Sequence, residues 1–120
     1  MNGKIFKLLD EIKVKIGADS VLLALNDGIF VSSTDNSSKN HGVQSAMSAT
    51  ILGTAELTGH LLEFEDCYMN ITVFKSAGKK LIIISVGEKS LLSIIADISI
   101  NENTIEASIA KETSRISEII

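Results

Sequence analysis

Proline and tryptophan are absent from this chain, and cysteine and tyrosine occur once each, as Cys67 and Tyr68. A lone cysteine closes no internal disulfide, so the fold does not depend on an oxidising compartment and a cytoplasmic location is expected. Basic residues are outnumbered, 11 Lys and Arg against 15 Asp and Glu, for a formal net charge of −4. That balance, with few aromatics and none interleaved with basic residues, argues against a nucleic-acid partner, which requires a basic face. Long apolar runs are missing too. The opening MNGKIFKLLDEIK meets Asp10 and Glu11 before any apolar core develops, so no secretory leader is expected. No run approaches the roughly 20 apolar residues that span a bilayer, so no membrane insertion is expected.

Chemistry-bearing constellations are equally sparse. His41, His60 and Cys67 do not stand at metal-ligand spacing from one another, so no metal site is expected. Cys67 has no base placed beside it in sequence and reads as a buried strand residue. Ser76-Ala77-Gly78-Lys79-Lys80 lacks the earlier glycine, the hydroxyl residue after the lysine and the following helix of a phosphate loop. It reads as a turn between strands. Asp10-Glu11 and Glu65-Asp66 are neighbours along the chain, which is the usual arrangement of solvated surface. Arg115 is the single arginine and the one candidate for an arginine finger on a nucleotide hydrolase; its plainer role is a charge on the polar face of a helix. No cofactor site and no enzyme active site are read.

What is present is a foldable pattern. At 120 residues, 45% hydrophobic and 22% charged, the chain has the size of one globular domain, 1–120. Ile5, Leu8, Leu9, Ile12 and Ile16 recur at helical spacing, with Asn2 placed to cap that helix and Gly17 to end it. SVLLALNDGIFVSS gives two short apolar runs about Asn26-Asp27-Gly28, a hairpin signal that predicts a type I′ turn. After the polar TDNSSKNH, residues 42–63 read as a second, long helix. Its stripe is Val43, Met47, Thr50, Thr54, Leu57 and Leu61, flanked by small Ala46, Ala49 and Gly53. A glycine inside a helix costs roughly 1 kcal/mol relative to alanine, so Gly53 and Gly59 require a reason, and close approach of another backbone is the usual one. Strands follow at 67–75, 79–86 and 91–98. NENTIEASIAKETSRISEII then reads as one amphipathic helix on Ile105, Ile109 and Ile116, capped by Asn101 or by Asn103 with Glu106. LIIIS and LLSIIAD lack alternation, so the middle strands are expected to be covered on both faces. The order α-β-β-α-β-β-β-α thus predicts an α+β (α/β) three-layer sandwich on a five-stranded antiparallel sheet.

This order resembles the roadblock/dynein light chain (roadblock/LC7) family across essentially the whole chain. The likeness is carried by the hairpin Leu23 to Val31, the small-residue helix Ser45 to Leu52, and Ile82-Ile83-Ile84-Ser85-Val86-Gly87 followed by Leu91. The specificity lies in the order and spacing of these elements together. The resemblance implies a profilin/longin-like fold and a non-enzymatic module that dimerises and binds Ras-like small GTPases as a regulator or scaffold. Its alternative is a structural light chain with no effect on a nucleotide cycle.

In that family the dimer joins the second helices and third strands of two subunits. Carried onto this chain, the interface comprises Val43, Ala46, Met47, Thr50, Gly53, Thr54 and Leu57 with Tyr68, Asn70, Ile71, Thr72, Phe74 and Lys75. The outer surface of the paired helices then offers Gln44, Ser48, Glu56, His60 and Glu63 to a GTPase. The scarcity of arginine implies that such a module acts through the GTPase's own switch residues. If two copies of strand 67–75 pair antiparallel about Ile71, Asp66 comes near Lys75 or Ser76 of the partner, an ion pair that would set register more than stability.

Overall fold

The computed structural model describes residues 2–37, 39–64 and 70–120, and of Asn2, Asn70 and Ile71 the backbone alone. The elements are α1 (Asn2–Ile16), β1 (Ser20–Leu25), β2 (Phe30–Ser33), α2 (His41–Leu61), β3 (Asn70–Ser76), β4 (Lys79–Val86), β5 (Ser90–Asp97), α3 (Glu102–Ser108) and α4 (Ala110–Ile119). All strand pairs are antiparallel, in the order β2-β1-β5-β4-β3. The three-layer sandwich follows from alternation along the strands. Val21, Leu23, Ile82, Ile84, Leu92 and Ile94 face a core closed by Ile5, Leu9 and Ile12 of α1, Ile105 of α3, Ile116 of α4 and Ile109 between those two helices. Leu22, Ala24, Ile83 and Leu91 face the other way, onto Ala49 and Leu52 of α2. β4 therefore carries apolar residues on both faces, each fully buried one contributing roughly 1.5–3 kcal/mol. Among the described residues no helix is long and apolar enough to cross a membrane.

α1 ends as the sequence predicts. Gly17 takes φ 68, its N–H bonds to Val14 O, and the N–H of Ala18 reaches Lys13 O, the doubly bonded helix end that a left-handed residue permits. Asn2, expected to cap α1, lies inside it.

Local expectations about the first hairpin and the last helix are corrected, and the turn at 77–78 is refined. The turn after β1 is not type I′, because neither Asn26 nor Asp27 has positive φ. Gly28 alone does, its N–H bonds to Leu25 O, and Leu25 N–H bonds to Ile29 O. This is a three-residue loop with the glycine in the left-handed position. The two-residue turn with both φ positive is instead Ala77-Gly78 (φ 52 and 79), joining β3 to β4 between the paired Ser76 and Lys79. The last helix is two. Ile109, at φ −112 and ψ 12, separates α3 from α4 while its side chain stays fully buried. Asn101 caps α3, accepting from the N–H of Asn103 at 3.0 Å, so the alternative box on Asn103 is not formed.

Candidate functional site

α2 is amphipathic in the inverted sense. The face it presents to the sheet is small and polar, with Ser45, Ser48, Ala49, Leu52 and Gly59 buried. Ser48 donates to Ser93 Oγ at 3.0 Å, and Gln44 Nε2 donates to the same oxygen at 2.9 Å. The Oγ of Ser45 is buried with no hydrogen-bond partner among the described residues. The face turned to solvent carries the large apolar groups: Val43, Met47, Leu57 and Leu61 are each more than half exposed.

Between them stand Thr50, Thr54 and Thr58. Each hydroxyl bonds back to the carbonyl four residues earlier, at 2.9, 2.8 and 2.8 Å. With the hydroxyls turned back onto the helix, the threonines leave their methyl groups to the stripe. The outer face of α2 is thus apolar over its whole length, a surface that a stable monomer rarely leaves uncovered.

The helix crosses the sheet obliquely. Its first residue, His41, stacks on Phe30 of β2 with ring centroids 4.7 Å apart. A Cβ on Gly28 would lie 3.3 Å from Ala46 Cα, so the glycine allows the β1–β2 loop to approach the helix. Ser48 lies over β5 through Ser93, and Leu52 shares its cluster with Ile83 of β4, against which Val73 of β3 packs. Beyond Leu52 the one buried residue is Gly59. The C-terminal half therefore overhangs on the β3 side. It ends with Glu63 at φ 63, where the N–H of Glu63 bonds to His60 O and that of Phe64 to Gly59 O. Leu62 and Phe64, just past the helix, are also more than half exposed.

β3 is the other half of the site. It stands at the end of the sheet and among the described residues pairs with β4 alone. Phe74 on it is 54% exposed, Lys75 is exposed and Thr72 half-buried. Asn70 and Ile71 lie on the strand opposite Ile84 and Ile83. Glu65-Asp66, Cys67, Tyr68 and Met69 fall outside the described residues, and with them the expected Asp66–Lys75 pairing, the interface role of Tyr68 and the buried position of Cys67.

The expected interface residues on α2, namely Val43, Ala46, Met47, Thr50, Gly53, Thr54 and Leu57, all lie exposed along one side. A Cβ built on Gly53 would meet nothing within 4 Å among the described residues, so no neighbour there demands that glycine. The five expected partner contacts do not share that face. Ser48 is 1% exposed and Gln44 points at the sheet, so neither is presented outward. Glu56 is half-buried, while His60 and Glu63 are exposed. Sequence reasoning missed Leu62 and Phe64; the signal was the run Leu61-Leu62-Glu63-Phe64, dense in apolar groups where a helix C-terminus usually turns polar. Arg115 sits exposed on α4, in the layer across the sheet from α2.

No family model and no curated protein matches this sequence. Solved structures do match it. MglB from Myxococcus xanthus superposes with a TM-score of 0.80 at 19% identity, covering 98% of this chain and 88% of that one. A Roadblock/LC7 domain from Streptomyces avermitilis gives 0.81 at 12% identity, with 94% of each chain covered. Profilin IA from Acanthamoeba castellanii gives 0.59 at 13% identity, over 94% of this chain and 96% of that one. At such identities the likeness speaks for the fold: this chain has the roadblock/LC7 fold, a profilin-like α+β sandwich similar to that of MglB.

Proposed function

We propose that the chain is a non-enzymatic, homodimeric regulator or adaptor of a Ras-like small GTPase, working in the cytoplasm. The observation that carries this reading is the inverted α2, whose large apolar groups face outward, together with the edge strand β3, which among the described residues pairs with β4 alone. An edge strand of seven residues with an exposed phenylalanine on it is a ready template for pairing with another chain. A copy of the same edge, related by a two-fold axis, pairs the strands and covers the adjoining stripe at once. Thr72, Phe74 and Lys75 with the outer residues of α2 then form the interface.

The exposed ends of the paired helices, with Glu56, His60 and Glu63, are the surface offered to the GTPase. Gln44 and Ser48 face the sheet in the N-terminal half of α2 and lie outside that surface. Arg115 lies across the sheet from it, so an arginine supplied by this chain is not the means of action; the module holds or reshapes the GTPase's own switch segments. Similarity of fold to MglB and to roadblock/LC7 domains supports the same reading.

The test is binding of the purified protein to the small GTPases of its source organism, each loaded with GDP and with a GTP analogue. Binding that depends on the nucleotide supports regulation. Capture of a partner helix with no nucleotide dependence supports the light-chain or scaffold alternative. Failure to bind every GTPase in either state sinks the proposal.

A further inference from the structure

Residues 53–61 make up the half of α2 that overhangs the sheet, and among the described residues little holds them. Gly59 is buried and Ala55 and Glu56 are half-buried, while the six other positions are exposed. The sequence GTAELTGHL is itself a poor helix former, with two glycines and two β-branched threonines in nine residues. The segment extends a helix already nucleated by residues 41–52, but packing of an apolar face, the main source of helical stability in proteins, is sparse along it. Thr54 and Thr58 bond back to the carbonyls of Thr50 and Thr54, a contact that bends helices more than it supports them. The segment runs out into Glu63, a side-chain-bearing residue in the left-handed region.

We infer that a second copy of this chain supplies the helical state of residues 53–61, so that the end of α2 forms with the dimer. The inference rests on the homodimer proposed above and adds to it a coupling between assembly and local folding. The occupant is a copy because one chain leaves exposed both an apolar stripe on α2 and an edge strand, the two features that a two-fold axis covers at once. Leu57 and Leu61 of α2, Leu62 just past it and Phe74 on β3, which among the described residues pairs with β4 alone, are all exposed in one protomer, and a strand is what satisfies a row of unpaired backbone groups. Gly53 has no crowding neighbour among the described residues, so its missing side chain leaves room for the partner's backbone. The consequence is functional: the outer face at the C-terminal end of α2 is assembled with the dimer, and a monomer presents no such face to a third protein.

Amide hydrogen exchange resolved along α2 tests this, with light scattering on the same samples to fix the oligomeric state. In the dimer, residues 53–61 and 45–52 are protected to a similar degree. In the monomer, reached by dilution or through Phe74→Lys on a different element, protection of 53–61 falls by about 100-fold or more while 45–52 keeps most of its own. A monomer with both halves equally protected overturns the coupling and leaves the dimer standing. A wild-type protein that is monomeric at every concentration overturns the dimer and the coupling together. Phe74→Lys that stays dimeric overturns the placement of the copy on β3.

Discussion

Lys15 of α1 donates to both carboxylate oxygens of Glu112 on α4, at 2.7 and 3.1 Å. Glu112 is buried at this helix contact, and the hydrogen bond from Lys15 outweighs burial, holding its carboxyl below the ordinary value of 4.5. A carboxyl depressed in the folded state stabilises the fold fully above its ordinary value. That stabilisation is lost as pH falls through the lower, folded one. Thermal unfolding of wild type should therefore weaken below about pH 4.5. Glu112→Gln should be less stable at pH 7 by about 1 kcal/mol and show a shallower acid limb. Asp97 and Glu102 are also depressed, by hydrogen bonds from Ser99 and from Lys80, so the limb is reduced and not abolished. An unchanged acid limb in Glu112→Gln would show that the Lys15 contact does not form in solution.

Lys80 is buried on β4, and its ammonium donates to the carbonyl of Ile100 and to Glu102, pinning the start of α3 to the sheet. Lys80→Ala removes both bonds and the buried stem and should cost about 2–4 kcal/mol. Lys80→Met keeps the stem and should lose less. Denaturant midpoints of the two variants separate packing from hydrogen bonding, and equal losses would assign the whole effect to the ammonium.

Ala77 holds φ 52 in the turn between β3 and β4, a conformation that costs a side-chain-bearing residue about 1–2 kcal/mol. Ala77→Asn suits that position and should raise stability by about 0.5–1 kcal/mol with no change in denaturant slope. A loss of stability would mean that the turn differs from the one described.

Glu63 ends α2 at φ 63. Glu63→Gly should stabilise this helix end by a similar amount, about 0.5–1 kcal/mol, seen as a higher unfolding temperature. If Glu63 also contacts the GTPase, the same variant should bind it more weakly, so stability and affinity move in opposite directions. Affinity rising with stability would remove Glu63 from the contact surface.

The strands were legible because burial on both faces writes an unmistakable apolar run: β4 falls on 79–86 as expected, and β5 is displaced by one residue. The break at Ile109 was not legible. Ile105, Ile109 and Ile116 keep helical spacing through it, and no glycine or proline marks it. Asp27-Gly28 outranks Ala77-Gly78 on turn propensity, yet the two-residue turn forms at the latter, where strand register leaves two positions between Ser76 and Lys79. The stripe on α2 was read correctly as a line of residues. Ser48 and Gln44 were misassigned because polar residues on a helix are expected outside, and here both face the sheet through Ser93 while Leu57 and Leu61 face water. That inversion is invisible to periodicity, which finds two faces without saying which one the protomer buries.

The most direct test of the central claim is the mass of the purified protein by light scattering, for wild type and for Leu57→Asp and Phe74→Lys. Both residues are exposed in the protomer, so neither change should prevent folding. Wild type should show twice the chain mass, and each variant should shift toward the single chain mass while still unfolding cooperatively. A wild-type protein with the mass of one chain from micromolar to millimolar concentration, or a dimer indifferent to both substitutions, would contradict the account.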